Sequence, residues 1–254
     1  MILIFIISLL CFIFLFIIFF NLFHVDAKNI FWHGNVCYAM AWVVVFIYAK
    51  LKLRTNIIDA FQLYKFRKIY IAPVVISTLG LAIIVFLIDM ATKNYPSVQD
   101  FTINDINVNN IDKTKFVFSV ITIVLICPIT EELLFRGVLL PSFIKRFKLK
   151  YAILFNSLLF SILHLGLIKM SYIFLLGILL CLFAVKIGSV LPSIIAHVIF
   201  NVVPFLFTNS YKDINDTSII NYLFLLVVGL ALTIIGLVML YKLQNKEHLT
   251  IAST

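Results

Sequence analysis

Two glutamates and an arginine lie in the middle of a long apolar stretch, CPITEELLFRGVLL at positions 127–140. Residues four apart share one face of a helix, and adjacent residues point about 100° apart. Glu132 and Arg136 can therefore pair along one face. Glu131 points in another direction and has no cation three or four residues away on its own helix. A carboxylate placed in this way suits a general base.

Two more polar clusters follow in apolar segments, Phe160 and His164 in FSILH, and His197 and Asn201 in HVIFN. His197 and Asn201 share a helix face, and His164 adds a second imidazole from another helix. Together with Glu131, these groups fit activation of a water molecule and stabilisation of an oxyanion. The alternative is a metal such as zinc held by Glu131, His164 and His197. Both interpretations lead to hydrolysis.

Each of these residues also has a structural explanation when it is taken alone. Histidine and asparagine often bond neighbouring membrane helices, and Phe160 is one of 26 phenylalanines. The combination favours function, because an ionisable residue at the centre of a membrane helix costs about 2.5–3.5 kcal/mol. Pro128 removes a backbone hydrogen bond just before the carboxylates and predicts an interrupted helix there. The sequence contains no HExxH motif, so a zincin site is excluded.

The elements that must position these groups are membrane helices. The 254 residues are 63% hydrophobic and 12% charged, whereas soluble domains carry about 25% charged residues. We therefore predict an all-α polytopic membrane protein with about eight spans. The candidate spans are 2–23, 30–49, 70–91, 116–140, 151–168, 171–186, 190–207 and 218–241. A tight hairpin must join the sixth and seventh spans, and the polar connection 50–69 suggests an amphipathic interfacial helix.

Loop charges predict the orientation and the partners. With eight spans and both termini in the cytoplasm, the inner segments hold thirteen Lys and Arg residues against six in the outer loops. The net charge of +9 is thus explained by membrane topology rather than by nucleic acid. The expected partners are membrane lipid and a peptide or protein substrate. The four cysteines lie in apolar stretches and are interpreted as small buried hydrophobic residues.

The three clusters together resemble the motifs of the CPBP intramembrane proteases. EELLFR corresponds to EExxxR, FSILH to FxxxH and HVIFN to HxxxN, in the same order. This family, also called Abi, includes the type II CAAX prenyl endopeptidases and bacterial members linked to bacteriocin production and self-immunity. The resemblance covers roughly residues 116–205 and implies an eight-helix bundle that acts as a glutamic endopeptidase.

The resemblance also implies a role for each matched residue. Glu131 and His164 would activate the water, and His197 and Asn201 would form the oxyanion hole. Structural support would come from the remaining motif residues, Glu132, Arg136 and Phe160. The predicted organisation is an N-terminal part at 1–115, the catalytic core at 116–207 and a last helix with a cytoplasmic tail at 208–254. Two other functions stay open, a non-catalytic scaffold or immunity protein on this fold and a proton-coupled transporter.

Overall fold

A computed structural model of the chain describes residues 56–92, 117–118, 120–164, 166–207 and 219–252. All regular structure in these ranges is helical, which confirms the predicted all-α class. The α-helices are α1 (Ile57–Phe61), α2 (Ile71–Thr92), α3 (Cys127–Glu132), α4 (Leu140–Ile144), α5 (Leu149–Ile162), α6 (Leu167–Ile187), α7 (Leu191–Phe207) and α8 (Ile219–Ala252).

Three helices in the described residues are long and apolar enough to cross a membrane. They are Lys68–Thr92, Leu167–Ile187 and Ile219–Lys246, and two shorter apolar helices accompany them. The chain is therefore a membrane protein. The first two predicted spans, 2–23 and 30–49, lie outside the described residues, so the number eight stays a prediction.

The predicted fourth span is an interrupted helix. Its described part changes from a π-helical turn at Thr122–Ile126 to α3, and then to a second π-helical turn at Leu133–Leu139 that leads into α4. A π turn adds one residue to the hydrogen-bonded ring and so shifts the side chains that follow it around the helix axis. Glu131 and Glu132 lie between these two turns, at the place where Pro128 predicts an interruption.

Helices α2 and α8 pack closely through small residues. A Cβ atom on Gly80 would come within 2.5 Å of the Gly229 carbonyl oxygen and the Thr233 hydroxyl, and one on Gly236 would come within 2.6 Å of the Ser77 nitrogen. Without a large hydrophobic driving force inside a bilayer, such close backbone contact is what holds membrane helices together. Of this pair, α2 also packs against α7, the helix that carries His197 and Asn201.

The connection before α2 differs from the amphipathic helix predicted over 50–69. Within its described part only the five residues of α1 form an α-helix, and a 3₁₀ turn at Lys68–Tyr70 precedes α2. Phe61 is buried against a cluster that includes Val190. The Val190 amide donates to the Gln62 carbonyl oxygen at 3.0 Å. The segment is therefore held against the bundle, because the Phe61 side chain is buried there and the Gln62 carbonyl oxygen accepts a hydrogen bond.

The same end of the bundle holds the hairpin between α6 and α7. Gly188 ends α6 with φ of 71°, a left-handed conformation that suits glycine and reverses the chain within three residues. The Ser189 hydroxyl donates to the Tyr64 carbonyl oxygen at 2.6 Å. The phenol of Tyr64 bonds the Asp59 carboxylate, which raises the pKa of the tyrosine. The tight hairpin predicted at positions 186–189 is thus confirmed.

Candidate active site

Glu132 lies at the centre of the buried polar cluster. Its Oε1 atom accepts a hydrogen bond from Nη1 of Arg136 at 2.7 Å and another from Nδ1 of His197 at 2.9 Å. Glu132 and Arg136 are fully buried, and His197 is 3% exposed. The predicted pairing of Glu132 with Arg136 is confirmed, and the imidazole of α7 is added to it. A buried carboxylate is tolerated here because two donors compensate its charge.

Arg136 joins three helical segments and an aromatic ring. Its Nη2 atom donates to the Gly177 carbonyl oxygen in α6 at 3.2 Å. Its guanidinium carbon lies 4.4 Å from the ring centroid of Phe160 in α5. A planar cation that both donates in a fork and stacks on an aromatic face is a role for arginine rather than lysine. Arg136 therefore ties the interrupted helix to α5 and α6.

The contact with Glu132 fixes how the ring of His197 is protonated. A carboxylate only accepts hydrogen bonds, so Nδ1 of His197 carries the hydrogen. The other ring nitrogen, Nε2, lies 3.8 Å from Oε2 of Glu131, whose side chain is 14% exposed. Nε2 can donate a hydrogen bond only when the ring is doubly protonated. The two adjacent glutamates thus contact opposite edges of one imidazole.

His164 completes the group from just beyond the end of α5. The prediction placed it inside a span at 151–168, but α5 ends at Ile162 and His164 lies in the turn that follows. Its Nδ1 atom lies 3.0 Å from the Phe160 carbonyl oxygen, which leaves Nε2 as the ring atom able to accept a proton. The turn places the His164 ring beside Phe160, whose ring also contacts His197.

Phe160 separates the cation from the two imidazoles. Its ring contacts His164 and His197 edge-on, with centroid distances of 5.0 Å and 5.7 Å. Arg136 lies over its face. Phe160 is fully buried. One aromatic side chain therefore sets the spacing among three ionisable groups, which supports the positioning role implied by its motif.

Asn201 bonds a backbone group that the proline leaves without a helical partner. In the first π turn the Cys127 amide donates to the Thr122 carbonyl oxygen, five residues back. With the same five-residue spacing, the donor to the Ile123 carbonyl oxygen would be residue 128, but Pro128 has no backbone N–H group. The Asn201 amide donates to the Ile123 carbonyl oxygen instead, at 3.0 Å. One hydrogen of the Asn201 side-chain amide is therefore already bonded within the protein.

Two polar residues of the site were not predicted. Asn156 donates to the Phe135 carbonyl oxygen at 2.9 Å, within the second π turn, and accepts from the Cys181 thiol at 3.3 Å. Both side chains are fully buried. The interpretation of Cys181 as only a small hydrophobic residue is therefore incomplete, because its thiol is a donor in this network. The sequence does contain a signal for this network, because Asn156 lies in an apolar segment four residues before Phe160.

A three-ligand metal site is not formed by the described residues in this conformation. No group of three His, Cys, Asp or Glu side chains among them is arranged to hold a metal ion. Nδ1 of His197 is engaged by Glu132, and Nε2 faces Glu131. The zinc alternative, with Glu131, His164 and His197 as ligands, stays a prediction, and no metal step is assigned to it.

The fold and the site define a helical membrane protein that gathers carboxylates, imidazoles and an amide in its apolar core. Residues 113–203 match the family described as type II CAAX prenyl endopeptidase Rce1-like. This match confirms the resemblance to the CPBP proteases over that segment, which is somewhat more than a third of the chain. Neither the curated proteins nor the solved structures compared with the chain gave a match.

Proposed function

We propose that this chain is an intramembrane endopeptidase that hydrolyses a peptide bond of a membrane-associated substrate. The observation that carries the proposal is the position of Glu131, whose carboxylate faces Nε2 of His197 within a segment that matches the Rce1-like family. The proposed substrate class, a prenylated CAAX sequence, is taken from the description of that family. The proposal extends this description to the present chain.

In the proposed reaction Glu131 and His164 act together on one water molecule. They take a proton from the water as its oxygen bonds to the carbonyl carbon of the substrate. The carbonyl oxygen becomes an oxyanion, which His197 and Asn201 stabilise as hydrogen-bond donors. The C–N bond then breaks, and the proton held by Glu131 and His164 passes to the leaving nitrogen. The products are a carboxylic acid and an amine.

The remaining motif residues position these groups. Glu132 holds Nδ1 of His197 and thereby directs Nε2 toward Glu131. Arg136 neutralises Glu132, and Phe160 spaces the guanidinium from the imidazoles. For His197 to serve as an oxyanion donor through Nε2 its ring must be doubly protonated, because Nδ1 is already bonded to Glu132. The proposal therefore assigns Glu132 a part in oxyanion stabilisation through His197.

The test uses purified protein in detergent with a farnesylated peptide that ends in a CAAX sequence. We expect wild-type protein to release a C-terminal fragment, detected by mass spectrometry, and the Glu131→Gln variant to release none. A folded wild-type protein that binds the peptide without cutting it would support the scaffold alternative and overturn the proposal. Retained cleavage by Glu131→Gln would overturn the mechanism.

The biological setting is a further part of the proposal. The resemblance implies peptide maturation or self-immunity as the process that this activity serves. Comparison of membrane peptidomes from cells with the wild-type protein and with the Glu131→Gln variant would identify the substrates. Accumulation of uncut bacteriocin precursors in the variant supports this setting, and unchanged precursors with other accumulating peptides contradict it.

A further inference from the structure

Each of the two π turns in the interrupted helix is bonded by an asparagine from a neighbouring helix. Asn201 in α7 donates to the Ile123 carbonyl oxygen in the first turn at 3.0 Å. Asn156 in α5 donates to the Phe135 carbonyl oxygen in the second turn at 2.9 Å. The short helix α3, which carries both glutamates, lies between these turns and is therefore held from outside at its two ends. Asn156 is fully buried and is not among the groups assigned to the reaction.

The hydrogen bond from Asn156 fixes one particular peptide group. The Phe135 carbonyl belongs to the peptide unit that joins Phe135 to Arg136, and this unit is planar. Its oxygen also accepts a hydrogen bond from the Leu140 amide, five residues further on, which is the bond of the π turn itself. A carbonyl oxygen has two lone pairs, so Asn156 adds a second donor without displacing the first. The position of the Arg136 backbone is thus set from α5 as well as from its own helix.

The next turn of α5 contacts the same two residues through their side chains. Phe160 follows Asn156 by four residues and so lies on the same face of the helix. Its ring packs edge-on against the ring of Phe135, with centroids 5.1 Å apart, and its centroid lies 4.4 Å from the guanidinium carbon of Arg136. One face of α5 therefore holds both the backbone and the side chains of this part of the π turn.

A thiol from α6 fixes the orientation of the Asn156 amide. A carbonyl oxygen only accepts hydrogen bonds, so the nitrogen of the amide must face Phe135. The amide oxygen then faces Cys181, whose thiol donates to it at 3.3 Å. Cys181 is fully buried. The thiol thereby stabilises the amide orientation in which the nitrogen points at the π turn.

We propose that Asn156 is a positioning residue of the endopeptidase, which holds Arg136 in place for the candidate active site. The inference rests on the proposed function. Arg136 donates to Oε1 of Glu132, and the same oxygen accepts a hydrogen bond from Nδ1 of His197. Nε2 of that ring faces Glu131. A displacement of the Arg136 backbone therefore moves the carboxylate that orients the imidazole, and Asn156 acts through these residues rather than on the reacting atoms.

The simpler explanation is that Asn156 only joins α5 to the interrupted helix. Ser189 provides the comparison, because its hydroxyl donates to the Tyr64 carbonyl oxygen at 2.6 Å and joins the hairpin to the segment before α2. Ser189 is also buried, so both bonds run from a buried side chain to a backbone oxygen of another segment. If joining were the only role, removing either bond would lower stability and leave turnover per folded molecule unchanged. The positioning role predicts that only the Asn156 bond affects turnover.

The experiment compares Asn156→Leu with the matched control Ser189→Ala in detergent, using the farnesylated CAAX peptide. Leucine keeps the branching of asparagine but neither donates nor accepts hydrogen bonds. We expect Asn156→Leu to lower kcat by about 10²-fold, the loss that a displacement of about 1 Å causes, with KM unchanged. Ser189→Ala should keep the wild-type kcat. Wild-type kcat in Asn156→Leu, or an equal loss of kcat in both variants, would overturn the inference.

A second variant tests the same bond without changing α5. Cys181→Ala removes the donor to the Asn156 amide oxygen, and Cys181→Ser supplies a hydroxyl donor in its place. We expect a smaller loss of kcat in Cys181→Ala than in Asn156→Leu, and recovery in Cys181→Ser. In the Asn156→Leu background, Cys181→Ala should cause no further loss of kcat, because residues that act through one contact are not additive. Independent, additive losses would contradict the proposed role.

A measurement that needs no cleavage separates this inference from the proposed function. Nitrogen NMR of protein labelled at histidine reports which ring nitrogen of His197 carries hydrogen, and the His197→Gln variant assigns the signals. We expect the His197 signals to change in Asn156→Leu and to match those of the wild-type protein in Ser189→Ala. This pattern without any cleavage by the wild-type protein supports the role of Asn156 and contradicts the endopeptidase. Unchanged His197 signals in Asn156→Leu contradict the role of Asn156, whether or not the peptide is cut.

Discussion

Nδ1 of His197 and Nη1 of Arg136 contact the same oxygen of Glu132, at 2.9 Å and 2.7 Å. Glu132 is therefore more than the counter-ion of an arginine on its own helix. It orients an imidazole from α7, and the opposite edge of that ring faces Glu131. The two neighbouring glutamates have different environments, because one is enclosed by two donors and the other borders the partly exposed site.

The two glutamates are therefore expected to respond differently to the same substitution. Glu131→Gln keeps the size of the side chain but cannot accept a proton from water, so cleavage should be abolished while folding and peptide binding persist. Glu132→Gln removes the charge that compensates Arg136, and the stability of the protein should fall by roughly 3–5 kcal/mol. Turnover per folded molecule and thermal unfolding in detergent measure the two effects.

A reversed result would show that the assignment of roles is wrong. Wild-type turnover in Glu131→Gln, together with a stable but inactive Glu132→Gln, would make Glu132 the base. Asp59→Asn serves as a control, because it removes a carboxylate from α1, outside the site, and should leave turnover unchanged.

We expect Arg136 substitutions to reduce stability both when they remove the positive charge and when they remove only the planar shape of the side chain. Arg136→Ala leaves Glu132 buried without its cation, and we expect a strong loss of protein abundance as well as activity. Arg136→Lys keeps the charge but cannot donate to both Glu132 and Gly177 while stacking on Phe160, so an intermediate stability is expected. Quantitative blotting and thermal unfolding test this order. Normal abundance and full activity of Arg136→Ala would show that the pair is not needed.

Asn201 should combine an effect on stability with an effect on turnover. Asn201→Ala leaves the Ile123 carbonyl oxygen without its donor, at a cost of about 1–3 kcal/mol. Loss of an oxyanion donor lowers kcat by about 10²–10³. Asn201→Asp should retain partial activity. A tenfold rise in KM with unchanged kcat in Asn201→Ala would instead indicate substrate binding.

A second substitution separates these two roles. Pro128→Ala supplies a backbone N–H five residues after Ile123, the spacing at which it can donate to the Ile123 carbonyl oxygen in a π turn. In the double variant with Asn201→Ala we therefore expect part of the stability to return, while kcat stays low. Thermal unfolding and turnover are measured on all four proteins of the cycle. Recovery of kcat along with stability would show that Asn201 acts only through the fold.

The orientation in the membrane is tested by cysteine labelling in intact cells. The charge distribution predicts that the loop 92–115 is outside and the loop 141–150 inside. A reagent that cannot cross the membrane should label Asn109→Cys and should label Lys148→Cys only after the cells are opened. The opposite pattern would invert the predicted topology. The wild-type protein, whose cysteines lie in apolar stretches, is the control for background labelling.

The sequence by itself determined the class of protein and the residues of the candidate site. Apolar stretches of about 20 residues can satisfy their backbone in lipid only as helices, so composition alone indicates an all-α membrane protein. The spacing of four residues placed Glu132 beside Arg136 through local geometry. The short separation of the sixth and seventh spans predicted the hairpin between them, and its left-handed turn at Gly188 is a conformation that glycine tolerates.

Contacts between segments were decided only by the tertiary structure. Glu132 and His197 are 65 residues apart, and nothing in local spacing indicates that they share a hydrogen bond. His164 was expected on a helix, but α5 ends before it because the chain must turn at Gly166 to begin α6. The partner of Asn201, the Ile123 carbonyl oxygen, lies in a π turn that no spacing in the sequence indicates. Hydrogen bonds between helices form where buried polar groups meet, and that meeting is set by how the whole bundle packs.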